Sequence, residues 1–192
     1  MRIVLASASP RRRELLEMLK IKNLEIIPAK GEETVDETLP PDELVRALSR
    51  QKAQEVYERT EGRDECVFIG SDTIVYLDGA VLGKPADEAG AKQMLRSLSG
   101  RSHTVYTGVT VISGGRAISE AEETKVFFRE LSDAEIDAYI ATGEPMDKAG
   151  AYGAQGIASL FVERLEGDFF NVMGLPVCRL GRMLEKQGVN IL

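Results

Sequence analysis

Apolar residues in this chain fall into short runs, and the period of the runs changes along its length. Ile3-Val4-Leu5-Ala6 is continuous, as in a buried strand, whereas Leu15, Leu16 and Leu19 recur at helical spacing. Between them, Ser7-Ala8-Ser9-Pro10-Arg11-Arg12-Arg13 predicts a turn from strand to helix, with Ser9 as N-cap and Pro10 at the first helical position. Leu24-Glu25-Ile26-Ile27 reads as a second strand. After an acidic loop and Pro40-Pro41, Asp42 is expected to cap a long helix with Leu44, Val45, Leu48, Ala53 and Val56 on its apolar stripe and Gly62 at its end. Val67-Phe68-Ile69 predicts a buried strand ending at Gly70-Ser71-Asp72-Thr73, with Ile74-Val75-Tyr76-Leu77 continuing it. Asp78-Gly79 is a hairpin signal, Val81-Leu82 returns, and Gly83-Lys84-Pro85 breaks the strand. Asp87 starts a helix bearing Ala91, Met94, Leu95 and Leu98, and Ser99-Gly100 stops it.

The second half has a different rhythm. Residues 103–112 alternate apolar and polar, Gly114-Gly115 turns the chain, and 117–129 return as a second long strand. Two such neighbours predict an antiparallel ribbon. Ser132 is expected to cap a helix with Ile136, Tyr139 and Ile140 inward. The stretch 147–156, rich in Gly and Ala, reads as irregular, 159–165 as a strand, Asn171 to Gly174 as a loop and 175–186 as the closing helix. The fold class predicted is α/β with a mixed, elongated β-sheet. Residues 1–192 are read as one domain, with two lobes.

Composition narrows the function. A formal net charge of −7 argues against nucleic acid as a partner, since that needs a basic face. No apolar run reaches the length of a membrane span, so no membrane partner is expected, and the N-terminus lacks a signal-peptide pattern. Cys66 and Cys178 are far apart and suggest neither a metal pair nor a disulfide framework; a reducing, cytoplasmic location fits. With one His in the chain, a His-based triad or multi-His zinc site is disfavoured.

The candidate chemistry begins with a conflict. Helix N-termini favour anions, yet Arg11, Arg12 and Arg13 sit in the first predicted turn. A bound phosphate would resolve this, with free N–H groups and guanidinium forks aimed at it; the plainer alternative is three solvated arginines. Asp72, at the end of a buried strand, is a candidate general base or metal ligand, or else an Asp that bonds its own turn. Lys84 and Lys52 are phosphate candidates or ordinary surface lysines. Glu32 and Glu33 are oxygen donors for a hard cation or members of a solvated loop. His103 reads as structural. In the small-residue stretch 147–156, Gln155 has the donors and acceptor to read a base edge. Together these point to metal-assisted attack of water on a phosphate.

The chain resembles the Maf family of nucleoside triphosphate pyrophosphatases. The matching stretches are Leu5-Ala6-Ser7-Ala8-Ser9-Pro10-Arg11-Arg12, Gly70-Ser71-Asp72-Thr73-Ile74-Val75 and Gly83-Lys84-Pro85, then Ser97-Leu98-Ser99-Gly100-Arg101-Ser102-His103, Asp147-Lys148-Ala149-Gly150-Ala151-Tyr152 and Asn171-Val172-Met173-Gly174-Leu175-Pro176. The family's usual Ala before the catalytic Asp is Ser71 here. The resemblance implies an inosine-triphosphatase-like fold: an elongated mixed sheet in two lobes with a central cleft. It implies hydrolysis of a nucleoside triphosphate to the monophosphate and pyrophosphate with Mg²⁺ or Mn²⁺. Asp72 would be the general base, Glu33 would lie near the metal and the water, and both are the implied metal ligands. Lys84 joins them as a catalytic residue. Arg11, Arg12, Lys52 and Lys84 would grip the triphosphate, with Ser7 and Ser9 among the substrate-binding residues. The Ala-Tyr-Gly-x-Gln-Gly stretch resembles the branch acting on dTTP and UTP, with Arg11, Thr73 and Gln155 setting base choice. Modified pyrimidine nucleotides, N7-methyl-GTP and a non-catalytic regulator of septum formation are the competing readings. A homodimer is a candidate assembly on the same resemblance.

Overall fold

The computed structural model describes residues 1–32, 34–36 and 38–191; Glu33, Glu37 and Leu192 lie outside the described residues. Ile3, Val4 and Leu5 are buried and form β1 (Arg2–Leu5), which pairs in parallel with β2 (Leu24–Ile26) on one side and β3 (Cys66–Leu77) on the other. Ile3 lies opposite Leu24 and Val67, and Leu5 opposite Ile26 and Ile69. The far half of β3 pairs antiparallel with β4 (Ala80–Leu82). Next in the sheet come β5 (Ser102–Ser113), β6 (Arg116–Phe128) and β7 (Val162–Glu166), in the order β2-β1-β3-β5-β6-β7. Gly114 and Gly115, both at positive φ, make the tight turn of the predicted β5–β6 hairpin. The expected mixed α/β sheet is present.

The described residues form six α-helices: α1 (Pro10–Met18), α2 (Pro41–Arg59), α3 (Glu88–Leu98), α4 (Asp133–Ile140), α5 (Phe169–Val172) and α6 (Val177–Lys186). Two caps follow the sequence. Asp87 accepts the Gly90 N–H at 2.7 Å, and Ser132 forms a reciprocal capping box with Glu135. Two differ. Ser9 occupies the N-cap of α1, but its side chain makes no cap bond; its own N–H donates to Ser7 Oγ at 3.2 Å. Asp42 lies inside the first turn of α2, because Pro41 fits the first helical position, and the carboxylate pairs with Arg46 at 2.7 Å. The predicted strand 159–165 is present as β7 but starts later, at Val162, because a 3-10 turn (Ile157–Leu160) precedes it, and the short α5 runs into the predicted loop from Asn171. Asn171 is buried there and donates to Val105 O at 3.0 Å and Thr124 Oγ1 at 2.9 Å.

The chain divides into two compact units. Residues 1–72, 107–122 and 174–192 make the first, and 73–106 and 123–173 the second. In the first, Val4, Ala6, Ala53, Val56, Cys66, Phe68 and Ile112 form a buried cluster. In the second, α3 and α4 pack with Val75, Val105, Val126, Phe128 and Phe161.

The largest difference from the sequence reading concerns β3. It does not break at Gly70-Ser71-Asp72-Thr73; it is one strand of 12 residues. Gly70 marks the place where α2 lies directly on the strand. A β-carbon there would strike the backbone carbonyl of Ser49 and come within 2.8 Å of the Ala53 N and Cβ. Gly108 on β5 does the same beneath Val45 and Arg46. Between these points, buried Ser49 Oγ shares a hydrogen bond with Thr110 Oγ1 at 2.9 Å, which in turn bonds Ser119 Oγ at 2.8 Å. The helix is therefore seated by two missing side chains and one satisfied polar chain.

His103 lies within β5, 2% exposed. Its Nε2 shares a 2.7 Å hydrogen bond with the Tyr152 hydroxyl, and its ring packs edge-on against Phe128 and Tyr152. Burial pushes its pKa down to about 4.

Two predictions follow from this packing. Gly70→Ala is expected to destabilise the protein by about 1–3 kcal/mol, since the clash is with backbone. Gly181→Ala, in open space on α6, should stabilise it by about 0.5–1 kcal/mol; urea unfolding of both variants checks the contrast. For His103, the unfolded chain binds a proton below its ordinary pKa of 6.5 while the native state resists until about 4. Stability should fall as pH drops through that window, by about 3 kcal/mol from this group. His103→Gln, weaker at neutral pH, should show a flatter pH dependence; an unchanged slope would assign the effect elsewhere.

Candidate functional site

Side chains at alternate positions of a strand share a face, so Asp72 points the same way as Gly70 while Ser71 points the other way. The bare Gly70 admits α2, and α2 brings Lys52, the neighbour of Ala53, onto the Asp72 face. Lys52 Nζ donates to Asp72 Oδ1, with the two side chains 22% and 13% exposed. Asp72 is thus neither a turn residue nor a strand-end residue. It is a carboxylate in mid-strand, nearly buried and held by an ammonium. On the opposite face Ser71 Oγ donates to Gly174 O at 2.9 Å.

The turn between β1 and α1 is tied to the same place. Ala6 N donates to Ile69 O at 2.8 Å. Buried Ser7 accepts at Oγ from the Ser9 N–H and from Arg12 Nη1 at 3.1 Å, and Arg12 Nε donates to Gly174 O at 2.8 Å. The Gly174 carbonyl therefore accepts from both Arg12 and Ser71. Withdrawal from water holds the Arg12 guanidinium below the usual arginine range; Asp72 opposes this shift and Arg11 adds to it. The three arginines do not act alike. Arg13 turns along the helix to Glu17 at 2.7 Å, Arg12 is built into the turn, and Arg11, half-buried, makes no ion pair with a described residue.

The acidic loop is fastened to the same helix. Glu55 of α2 accepts the N–H groups of Lys30 and Gly31 near 3.0 Å. Burial alone would raise the Glu55 pKa, but those amide bonds, with Arg59 and Lys30 nearby, hold it below the ordinary value. Gln51 donates to Glu32 O at 2.7 Å and accepts from Thr34 N at 3.3 Å. Glu33 itself, the expected catalytic and metal residue of this loop, lies outside the described residues.

The first unit thus brings together Ser7, Ser9, Arg11, Arg12, Lys52 and Asp72 of the expected site residues. Thr73, Lys84 and Gln155 belong to the second. There Gly83 O accepts the Gly150 N–H at 3.0 Å, Pro85 is buried, and Lys84 is exposed without an ion pair to a described residue. Gln155 is exposed in a turn, and Thr73 is half-buried.

For a divalent cation, the donor chemistry of Asp72 fits: a hard oxygen ligand of the kind that holds Mg²⁺ or Mn²⁺ together with substrate phosphates. No group of three or more His, Cys, Asp or Glu residues gathers among the described residues, so an all-protein cage is not what they offer. No helix among them is long and apolar enough to cross a membrane. Sequence reasoning missed Ser71, the Gly174 carbonyl and Gln51. It also missed Gly70 and Gly108, although a glycine inside a strand pattern is a signal of close backbone approach.

A family model described as Maf-like protein matches residues 2–187. A relative from Bacillus cereus (strain ZK / E33L), named dTTP/UTP pyrophosphatase, is 46% identical over 190 residues, covering 99% of this chain and 97% of its own. One of the same name from Caldicellulosiruptor bescii is 47% identical over 194 residues, covering 100% and 97%. A solved nucleoside-triphosphatase / dITP/XTP pyrophosphatase of Mycobacterium abscessus aligns over 67% of this chain and 73% of its own at 19% identity, with a TM-score of 0.40, a likeness too slight to bear on fold or function. A family match that runs nearly from end to end, with relatives close to half identical along the same span, makes this chain a member of the Maf-like protein family.

Proposed function

We propose that this protein is a cytoplasmic, metal-dependent pyrophosphatase that hydrolyses dTTP and UTP to the monophosphate and pyrophosphate. The observation that carries the reading is the Lys52–Asp72 pair, a nearly buried carboxylate fixed by an ammonium beside the Ser7–Arg12 turn. The names of the relatives from Bacillus cereus and Caldicellulosiruptor bescii, matched over nearly their whole length, support the substrate class.

In the reaction, Asp72 takes a proton from water as the water oxygen attacks the α-phosphorus. The bond between the α-phosphorus and the bridging oxygen breaks, and pyrophosphate leaves. Lys52 holds the Asp72 carboxylate in one orientation. Arg11, Arg12 and Lys84 neutralise the charge that develops on the leaving group, with Ser7 and Ser9 shaping the turn. A Mg²⁺ or Mn²⁺ ion held by Asp72 and Glu33 would supply further charge neutralisation on the phosphate oxygens. Thr73 and Gln155 face the base in this reading. A side-chain amide complements the O4/N3–H edge of uracil or thymine, and a pocket built for that edge leaves polar groups unpaired against a purine.

The test is pyrophosphate release from a panel of nucleoside triphosphates with Mg²⁺ or Mn²⁺. Wild-type protein should favour dTTP and UTP. Asp72→Asn should lower kcat by about 10²–10⁴-fold while dTTP binding, measured by calorimetry, stays within a few-fold. Binding of nucleotide by the wild type with no turnover of any substrate would overturn the enzyme reading in favour of a regulator.

A further inference from the structure

Glu144 is remote in sequence from Gln155, yet its carboxylate is part of the turn that carries Gln155. It opens a 3-10 turn (Glu144–Asp147) whose N-cap, Gly143, sits at positive φ. Oε2 accepts the Ile157 N–H at 3.0 Å, and Oε1 accepts the Tyr139 hydroxyl at 3.0 Å. The same hydroxyl accepts the Gly153 N–H at 3.3 Å. Gly156 N donates to Gly153 O at 2.9 Å, which closes a β-turn over residues 153–156 with Ala154 and Gln155 at its centre. Carboxylate and phenol thus hold this turn at both ends.

The glycines of the turn record how closely the clamp fits. A β-carbon on Gly156 would come within 2.6 Å of the Glu144 Cδ, and one on Gly153 within 2.8 Å of the Lys148 Cε. The Lys148 side chain is 12% exposed, and its ammonium donates to Glu144 O at 2.6 Å and to Asp147 Oδ1 at 2.6 Å. Glu144 is therefore fixed at its carbonyl as well as its carboxylate. Its side chain points at the underside of a turn whose outer, exposed residue is Gln155.

We propose that Glu144, together with Tyr139, sets pyrimidine specificity by fixing the turn that presents Gln155. The proposal rests on the reading of Gln155 as the residue that meets the base. An amide on a loose loop can turn over and pair with the edges of several bases, whereas an amide on a clamped turn offers one order of donor and acceptor. Glu144 acts through the turn and is a positioning residue, not a catalytic one.

The experiment measures kcat and KM for dTTP and dGTP in Gln155→Ala, Glu144→Ala, Glu144→Gln, Tyr139→Phe and the Glu144→Ala/Gln155→Ala double variant. Binding of both nucleotides by calorimetry gives the same preference independently of turnover. Glu144→Ala should lower the dTTP-to-dGTP preference by about tenfold, on the scale of Gln155→Ala, through KM and with kcat within about twofold. Tyr139→Phe should give a smaller loss in the same direction. Glu144→Gln should restore most of the preference, since its amide oxygen can still accept the Ile157 N–H. In the double variant the preference should be no lower than in Gln155→Ala alone.

Equal loss for both nucleotides in Glu144→Ala, or effects that add in the double variant, would overturn the proposal. Should Glu144→Ala fail to fold, Tyr139→Phe and Glu144→Gln decide it: an unaltered preference in Tyr139→Phe, or none left in a folded Glu144→Gln, overturns it. An unchanged preference in Gln155→Ala would instead refute the base-reading role of Gln155, an outcome distinct from a failure of the clamp alone.

Discussion

The close contact of helix α2 with strands β3 and β5 is the constraint on which the first unit depends. A helix normally stands off a sheet by the depth of the side chains between them. Here Gly70 and Gly108 remove that depth at two points, and the backbone of α2 at Ser49 and Val45 comes down onto the strands. The polar groups trapped beneath are satisfied by the Ser49–Thr110–Ser119 chain. The same descent carries Lys52 to Asp72 and places Gln51 and Glu55 where they hold both flanks of the loop from Lys30 to Thr34. One helix thus sets the candidate base, its cationic partner and the acidic loop.

A second point of convergence is the carbonyl of Gly174. It accepts from Arg12 on α1 and from Ser71 on β3, so three separated segments meet at one acceptor. Arg12 is consequently both a charge beside Asp72 and a strut of the turn, and the charge-assisted bond stiffens the turn without needing a ligand. Arg11, the neighbouring guanidinium, makes no ion pair with a described residue. In the second unit Glu144 has an analogous place. It is a charged side chain turned inward to shape a loop, and Gln155 is an exposed residue of that loop.

Much of the fold was legible. Periodicity gave α1, α2, α3, α4 and α6 and the β5–β6 hairpin, because each rests on local pattern and local turn chemistry: Asp87 and Ser132 as caps, Gly114 and Gly115 at positive φ. The errors at Gly70 and Asn171 come from contacts between separated segments, and the one at Asp42 from its neighbour Pro41. The buried run reads as ending at Gly70-Ser71-Asp72-Thr73, but the strand passes through, since Gly70 answers to the backbone of α2. Asp42 reads as a cap until Pro41 is seen to start the helix. Asn171 reads as a loop residue, yet its amide is buried between Val105 and Thr124. The site was legible in its residue types and opaque in their arrangement. Conflict with the helix dipole drew attention to Arg11 and Arg12, but nothing local told that Arg13 would leave for Glu17 or that Lys52 would reach Asp72. Contacts of long sequence separation decide these matters, and a single sequence does not display them.

Water attack at the α-phosphorus is the central chemical claim, and isotopic labelling tests it most directly. Wild-type protein would hydrolyse dTTP in ¹⁸O-water, with both products examined by mass spectrometry. One ¹⁸O atom is expected in the nucleoside monophosphate and none in the pyrophosphate. Label in the pyrophosphate, or release of inorganic phosphate in its place, would contradict it.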